Sequence, residues 1–293
     1  MEASPPSGAG AAAPTGGAAM TSRITGLDHV IIAVRDLDKA AATFRALGFT
    51  LATKGEHAEW GTANYCIMFG DDYLELLAAV GEGGPADRVR TFLDDKGEGL
   101  MGLVWGTEDA AADSARLGVE PPGDLSRSIE GDVARFKAGI LPPETTPGIA
   151  SFLCQHLTPE KLRRPGWTEH ANSATGMLSV TALMAEPLEL MPAWDRLIGP
   201  AAATATDELV TVHTRHGMIF LCMPDDIGQL HPEADEEDLP PAPAMVALTL
   251  RITDRAAAVR ALQAAGIAYE RDRQGKVVIA PEDACGVLIE LLE

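Results

Sequence analysis

The chain has 293 residues, 46% hydrophobic and 23% charged, the mixture of a globular protein with room for one large or two ordinary domains. Its 23 basic against 43 acidic side chains leave a formal net charge of −20, a field that repels phosphate backbones and anionic membranes. Nucleic acid and lipid surfaces are thereby excluded as partners, no apolar run approaches the roughly 18 residues of a membrane span, and a cytoplasmic setting is expected.

Residues 1–23 are mostly Ala, Gly, Pro and Ser with neither a basic start nor a leucine-rich centre, so a disordered tail is expected, with translation starting at Met1 or Met20. LDHVIIAV from Leu27 reads as the first strand. Asp36 is placed to cap a helix whose apolar residues Leu37, Ala40, Ala41, Phe44 and Leu47 share a face, and Gly48 closes it. Further strands follow around Cys66 (CIMF) and from Tyr73 (YLELLA).

The same order recurs three times. MGLVWG from Met101 precedes a helix ending at Gly118, then VARFKAGI and SFLCQH. MLSVTALMA from Met177 precedes PLELMPAWDRLIG, with Pro187 in its first turn and Gly199 at its end, then LVTVH and MIFLCM. MVALTLRI from Met245 precedes a helix ending at Gly266, then KVVIA and GVLIELLE. Four βαβββ modules result, at 24–80, 100–158, 172–224 and 244–293, grouped as a first pair (24–158) and a second pair (159–293) in an α+β fold. Residues 225–243, rich in Pro, Asp and Glu, read as an exposed linker whose acidic run Glu233–Asp238 is solvated. The four cysteines, Cys66, Cys154, Cys222 and Cys285, sit far apart in apolar strand-like runs and read as small buried hydrophobes in a reducing compartment.

Strand alternation puts Leu27, His29, Ile31 and Ala33 on one face and Asp28, Val30, Ile32 and Val34 on the other. In YLELLA it groups Tyr73, Glu75 and Leu77. An imidazole and a carboxylate projecting from the first and last strands of one module invite a shared metal ion. Aligned on the helix caps, the fourth module carries Ala247 at the place of His29 and Glu290 at that of Glu75; Met101 and Val180 stand near the equivalent places in modules two and three.

LDHVIIAVRDLDKAAATFRALGF with FGDDYLELLA, and CQHLTPEKLRRPGWTEHANSATGMLSV further on, resembles the vicinal oxygen chelate superfamily, more narrowly its glyoxalase-like branch. The resemblance implies modules paired into open, barrel-like sheets around a divalent ion (Zn, Mn, Fe, Ni or Mg), with His29 and Glu75 as ligands. Either His156 or His170 completes the set, and Gln155 is an alternative to His156. Tyr73, Gln155, Trp167 and Asn172 are substrate-binding candidates, Arg163, Arg164 and Trp167 forming either a flap or a pinned loop. His213 and His216 read as turn histidines, and Glu290 as structural. The function so implied is metal-dependent lyase or isomerase chemistry on a small oxygenated metabolite, in a chain that could form a homodimer. A metal-free sequestering protein and a ring-cleaving dioxygenase are the alternatives.

Overall fold

The computed structural model describes residues 21–234, 239–272 and 274–293, so the expected tail, except its last three residues, and most of the acidic run lie outside the described residues. The first module runs β1 (Ile24–Ala33), α1 (Leu37–Ala46), β2 (Gly55–His57), β3 (Thr62–Met68) and β4 (Tyr73–Ala79). A helix, α2 (Gly84–Lys96), leads into the second: β5 (Gly99–Thr107), α3 (Ala110–Leu117), β6 (Gly123–Ile129), β7 (Asp132–Ile140) and β8 (Ala150–His156). The third is β9 (Ala174–Leu183), α4 (Met191–Ile198), β10 (Ala203–Thr206), β11 (Leu209–Thr214) and β12 (Gly217–Cys222). After the short α5 (Ile227–Leu230) comes the fourth: β13 (Ala244–Ile252), α6 (Arg255–Ala265), β14 (Glu270–Arg271), β15 (Val277–Ile279) and β16 (Leu288–Leu292).

The helices begin where their caps require. The carboxylates of Asp36, Asp109 and Asp254 accept backbone N–H groups in the first turns of α1, α3 and α6, each worth about 1 kcal/mol. Gly118 and Gly266 end α3 and α6 in left-handed conformation, at φ 72° and 70°. Pro187 opens a 3₁₀ turn rather than the helix itself, which starts four residues later. Helix α2 was not anticipated, although Ala86, Val89 and Leu93 lie on one face behind Pro85.

Each pair of modules builds an eight-stranded sheet. The first closes as β1-β4-β3-β2-β6-β7-β8-β5, where an open sheet was expected; closure comes from β2 meeting β6, Gly55 facing Ile129 and Glu56 facing Ser128. The second stays open, from β10 to β14. In both, the first strands of the paired modules lie side by side and antiparallel, β1 with β5 and β9 with β13. Outer faces of the two sheets share one core with the helices: Val30, Ile32, Leu74, Leu103 and Phe44 from the first half, Val180, Leu248 and Leu262 from the second. Within it Trp105 and Trp194, both fully buried, meet edge to face at 5.8 Å.

The segment read as a solvated linker is partly core. Ile227 is fully buried and His231 is 3% exposed, covering the concave face of the second sheet beside Leu183, Ala247 and Leu288. Cys66, Cys154 and Cys222 are buried strand residues, whereas Cys285 is half-buried in a turn before β16.

Candidate active site

The first barrel encloses a cavity of ≈ 800 Å³ lined by Trp60, Leu125, Phe136 and Phe152 among other apolar side chains. Polar groups gather along one stretch of its wall: His29, His57, Asn64, Tyr73, Glu75 and Arg127. Alternation delivers most of them, since Thr62, Asn64 and Cys66 of β3 and Tyr73, Glu75 and Leu77 of β4 all face inward. β1 departs from alternation. A bulge between Leu27 and His29, against Trp105 and Val104, sends Leu27 outward into the shared core and leaves Asp28 beside His29. Asp28, expected on the helix side, therefore joins the site.

His29 lies between two carboxylates. Nδ1 is 2.7 Å from Asp28 Oδ2 and Nε2 is 3.3 Å from Glu75 Oε2, while the Tyr73 ring stacks on the imidazole at 4.2 Å. Burial alone would push His29 down; hydrogen bonds to Asp28 and Glu75, and their charges, outweigh it and raise the imidazole to about 9. For the carboxylates, burial pushes upward and their histidine partners prevail: His156 and His29 hold Asp28 well below the usual range, and His29, His57 and Asn64 hold Glu75 at about 2. Asn64 Nδ2 donates to Glu75 Oε1 and its carbonyl accepts from Arg127 Nε at 2.7 Å, so a continuous polar chain runs from Arg127 to Asp28. His57, on the same wall, is held below its ordinary value chiefly by burial, against the opposing charge of Glu75. Its Nδ1 is 3.2 Å from Thr62 Oγ1.

Of the residues singled out from sequence, the structure brings together His29, Glu75 and Tyr73. His156 is near but turned away from Glu75: its Nε2 lies 2.9 Å from Asp28 Oδ1, at the end of the barrel. His170 is outside the cavity. Its Nδ1 accepts from Thr50 N at 3.0 Å and its Nε2 donates to Met68 O at 3.0 Å, with Phe49 and Phe69 edge-on, so both nitrogens are used in holding the second half to the first. Asn172 is fully buried at the same junction, donating to Leu47 O and accepting from Ala174 N. Gln155 points outward and bonds Glu108 O and Ala110 N at the start of α3. Trp167 stacks under Arg164 at 5.1 Å and is not among the cavity-lining residues. Arg163 bonds the carbonyls of Gly70 and Asp71. The latter three belong to a pinned loop, not a flap over the cavity. His216 is in the β11–β12 turn and His213 bonds Thr204 on the surface.

Strand register tests whether a metal ion fits. His29 faces Val104 and Ile31 faces Gly102 across the local twofold axis between β1 and β5, which makes Gly102, not Met101, the counterpart of His29. β4 sets Glu75 against Ile31 and β8 sets Phe152 against Val104, so Phe152 is the counterpart of Glu75. The second module thus offers a bare backbone and an aromatic ring where donors would be needed. His29 and Glu75 supply two donors whose separation suits one ion, but three or four protein ligands are the rule for a resident cofactor. The residues at this pair do not fit that group. One group of three among the described residues has ligand atoms within 4.8 Å of one another, Asp28, Cys154 and His156; there Asp28 already bonds both histidines, and burial pushes the Cys154 thiol far up. In the second half Ser179 and Phe220 are the equivalent positions of module three, and in module four Ala247 and Glu290. Glu290 is held by His231 Nδ1 at 2.7 Å, Thr249 Oγ1 at 2.8 Å and Lys276. It is structural, as expected, but its histidine comes from the segment between the modules.

Residues 27–198, more than half of the chain, match the family model described as a glyoxalase-like domain. The chain belongs to the glyoxalase-like domain family. Over 93 residues it is 33% identical to the ethylmalonyl-CoA/methylmalonyl-CoA epimerase of Cereibacter sphaeroides, covering 31% of this chain and 67% of that enzyme. A hypothetical protein from Staphylococcus aureus has the same fold, with a TM-score of 0.62 at 13% identity over 91% of this chain and 98% of its own. So does a mutant of 4-hydroxymandelate synthase from Streptomyces coelicolor, with a TM-score of 0.58 at 14% identity over 92% of each chain. The fold shared with these two structures thus extends over both halves, whereas the polar cluster described above belongs to the first alone. No helix among the described residues is long and apolar enough to cross a membrane.

Proposed function

We propose that the first barrel is the active half of an enzyme that moves a proton at a carbon next to a carbonyl in a small oxygenated metabolite. The observation that carries this reading is a pair of imidazoles on one cavity wall in opposite surroundings, one between two carboxylates and one buried against a hydroxyl. The carboxylates of Asp28 and Glu75 drive His29 toward the cationic form, and burial beside Thr62 drives His57 toward the neutral form. Groups whose environments drive their proton affinities apart are the ingredients of acid–base catalysis. His57 removes the proton, the C–H electron pair moves onto the carbonyl oxygen, and His29 Nε2–H, held only loosely at 3.3 Å from Glu75 Oε2, turns to bond that oxygen. Return of the proton by His57 to a neighbouring atom gives an isomer, and delivery of a proton to the opposite face by a second acid gives an epimer. The relative named as an epimerase supports the same class of step. No step is routed through a metal ion, because the barrel supplies half a ligand set.

The test is solvent proton exchange. Purified enzyme in deuterated buffer is incubated with a panel of ketones and acyl thioesters bearing one exchangeable C–H, read by mass spectrometry. His57→Gln is expected to lower exchange by about a hundredfold or more, in line with the loss of a general base. Exchange unchanged in folded His57→Gln would overturn the assignment. Elemental analysis runs alongside: stoichiometric divalent metal that disappears in His29→Ala and Glu75→Ala would restore the metal-dependent reading.

A further inference from the structure

Arg127 takes no part in the step just described, yet it is the least expected side chain in the barrel. It sits on β6 between the inward-facing Leu125 and Ile129, lines the cavity, and is 2% exposed. Nε donates to Asn64 Oδ1 at 2.7 Å and Nη2 to Thr53 O at 3.1 Å. Nη1 is buried with no hydrogen-bond partner among the described residues. No carboxylate among them pairs directly with the guanidinium either; Glu75 is reached only through Asn64. A buried cation without a counter-ion, and with a bare donor, is costly in an apolar cavity. The cost is explained if a ligand completes it.

We propose that Arg127 anchors the carboxylate of an apolar monocarboxylic acid in the first barrel. This rests on the reading of the cavity as a substrate site and names the substrate class. One carboxylate oxygen takes the free Nη1–H, a charge-assisted bond that also supplies the missing counter-charge. The hydrocarbon body lies against Trp60, Leu125, Phe136 and Phe152. A cavity of ≈ 800 Å³ accommodates a body of that kind with room to spare. The fixing of Nε and Nη2 leaves the guanidinium one orientation, so the anchor is preorganised and ties the acid's head to the Asn64–Glu75–His29 chain.

The experiment is calorimetric titration of the full chain with octanoate and with its uncharged isostere octanamide. Octanoate is expected to bind at least about tenfold more tightly than octanamide, the smallest effect of one charge-assisted hydrogen bond. Arg127→Met is expected to abolish the difference, Arg127→Lys to restore part of it, and substitution of the exposed rim residue Arg88→Met to leave it unchanged. Circular dichroism checks that each variant is folded. If Arg127→Met does not fold, the wild-type comparison still decides: equal binding of the two ligands, or none of octanoate at millimolar concentration, overturns the anchor. A preference lost in Arg88→Met instead places the charge recognition at the rim and also overturns it. Proton exchange failing while the Arg127-dependent preference survives sinks the proposed reaction and leaves the anchor standing.

Discussion

His29 shows how much one buried side chain can depend on its neighbours. Its imidazolium is the shared cationic partner of two carboxylates that are 9% and 5% exposed, so its removal leaves Asp28 to His156 alone and Glu75 to the uncharged Asn64. His29→Gln is expected to destabilise the fold by about 3–5 kcal/mol in urea titrations, the range for breaking a buried ion pair from one side. The pH dependence follows from the same triplet. His29 is raised from 6.5 to about 9, so its contribution is complete below pH 6.5 and is lost as pH rises through about 9. Glu75 is lowered from 4.5 to about 2, so its contribution is complete above pH 4.5 and is lost as pH falls through about 2. Stability should therefore be greatest between about 4.5 and 6.5 as far as this triplet decides it, and the profile of His29→Gln should be flatter on the alkaline side. His29, Glu75 and Tyr73 were legible in the sequence because strand alternation and the repeat both point to them. Asp28 was not, because a bulge breaks the alternation and no local signal announces it. Arg127 and Asn64 obey the same alternation, in DLSRSI and TANYCIM, but polar residues in short strands are indistinguishable in sequence from solvent-facing ones.

At the scale of elements, the repeat was readable through its helix caps and closing glycines, whereas α2 and the fate of residues 225–243 were not. The latter segment has the composition of a solvated loop, and only its tertiary position shows why His231 is buried: it fills the place left by Ala247 and meets Glu290 and Thr181, each at 2.7 Å. His231→Ala should leave Glu290 without that partner and cost about 1–3 kcal/mol or more. Amide exchange along α5 should rise with it. If exchange in α5 is unchanged, the imidazole is not what holds the segment on the sheet. His170 and Asn172 carry the complementary lesson. Their motif resembles a family pattern that implies a place in the site, but their hydrogen bonds spend both residues on fixing module three against α1 and β3.

For the whole molecule, the two halves share a core but divide their labour, because one keeps a cavity open to solvent and the other is covered by its own chain. Asp72 lies where they meet, 3% exposed at the start of β4, with both carboxylate oxygens 3.2 Å from Met177 N in β9. Burial is the main cause raising its carboxyl to about 7. Its folded value exceeds its unfolded 3.8, so ionisation costs stability progressively from pH 3.8 to about 7. Asp72→Asn should raise the melting temperature at pH 8 by more than at pH 4, measured by calorimetry. An equal shift at both would show that the carboxyl is not desolvated at the junction.

The first barrel is closed by the shortest of its strand overlaps, the meeting of β2 with β6. Gly55 stands there because a Cβ would overlap the Arg127 guanidinium, which crosses the seam to reach Thr53 and Asn64. A ring breaks first at its weakest joint, so this is where the wall should breathe. Backbone amides of Gly55, Glu56 and Ile129 should exchange with deuterium faster than those of the longer β6–β7 ladder. Any occupant gripping Arg127 would then act as a latch, slowing exchange along that seam while leaving the rest of the wall untouched.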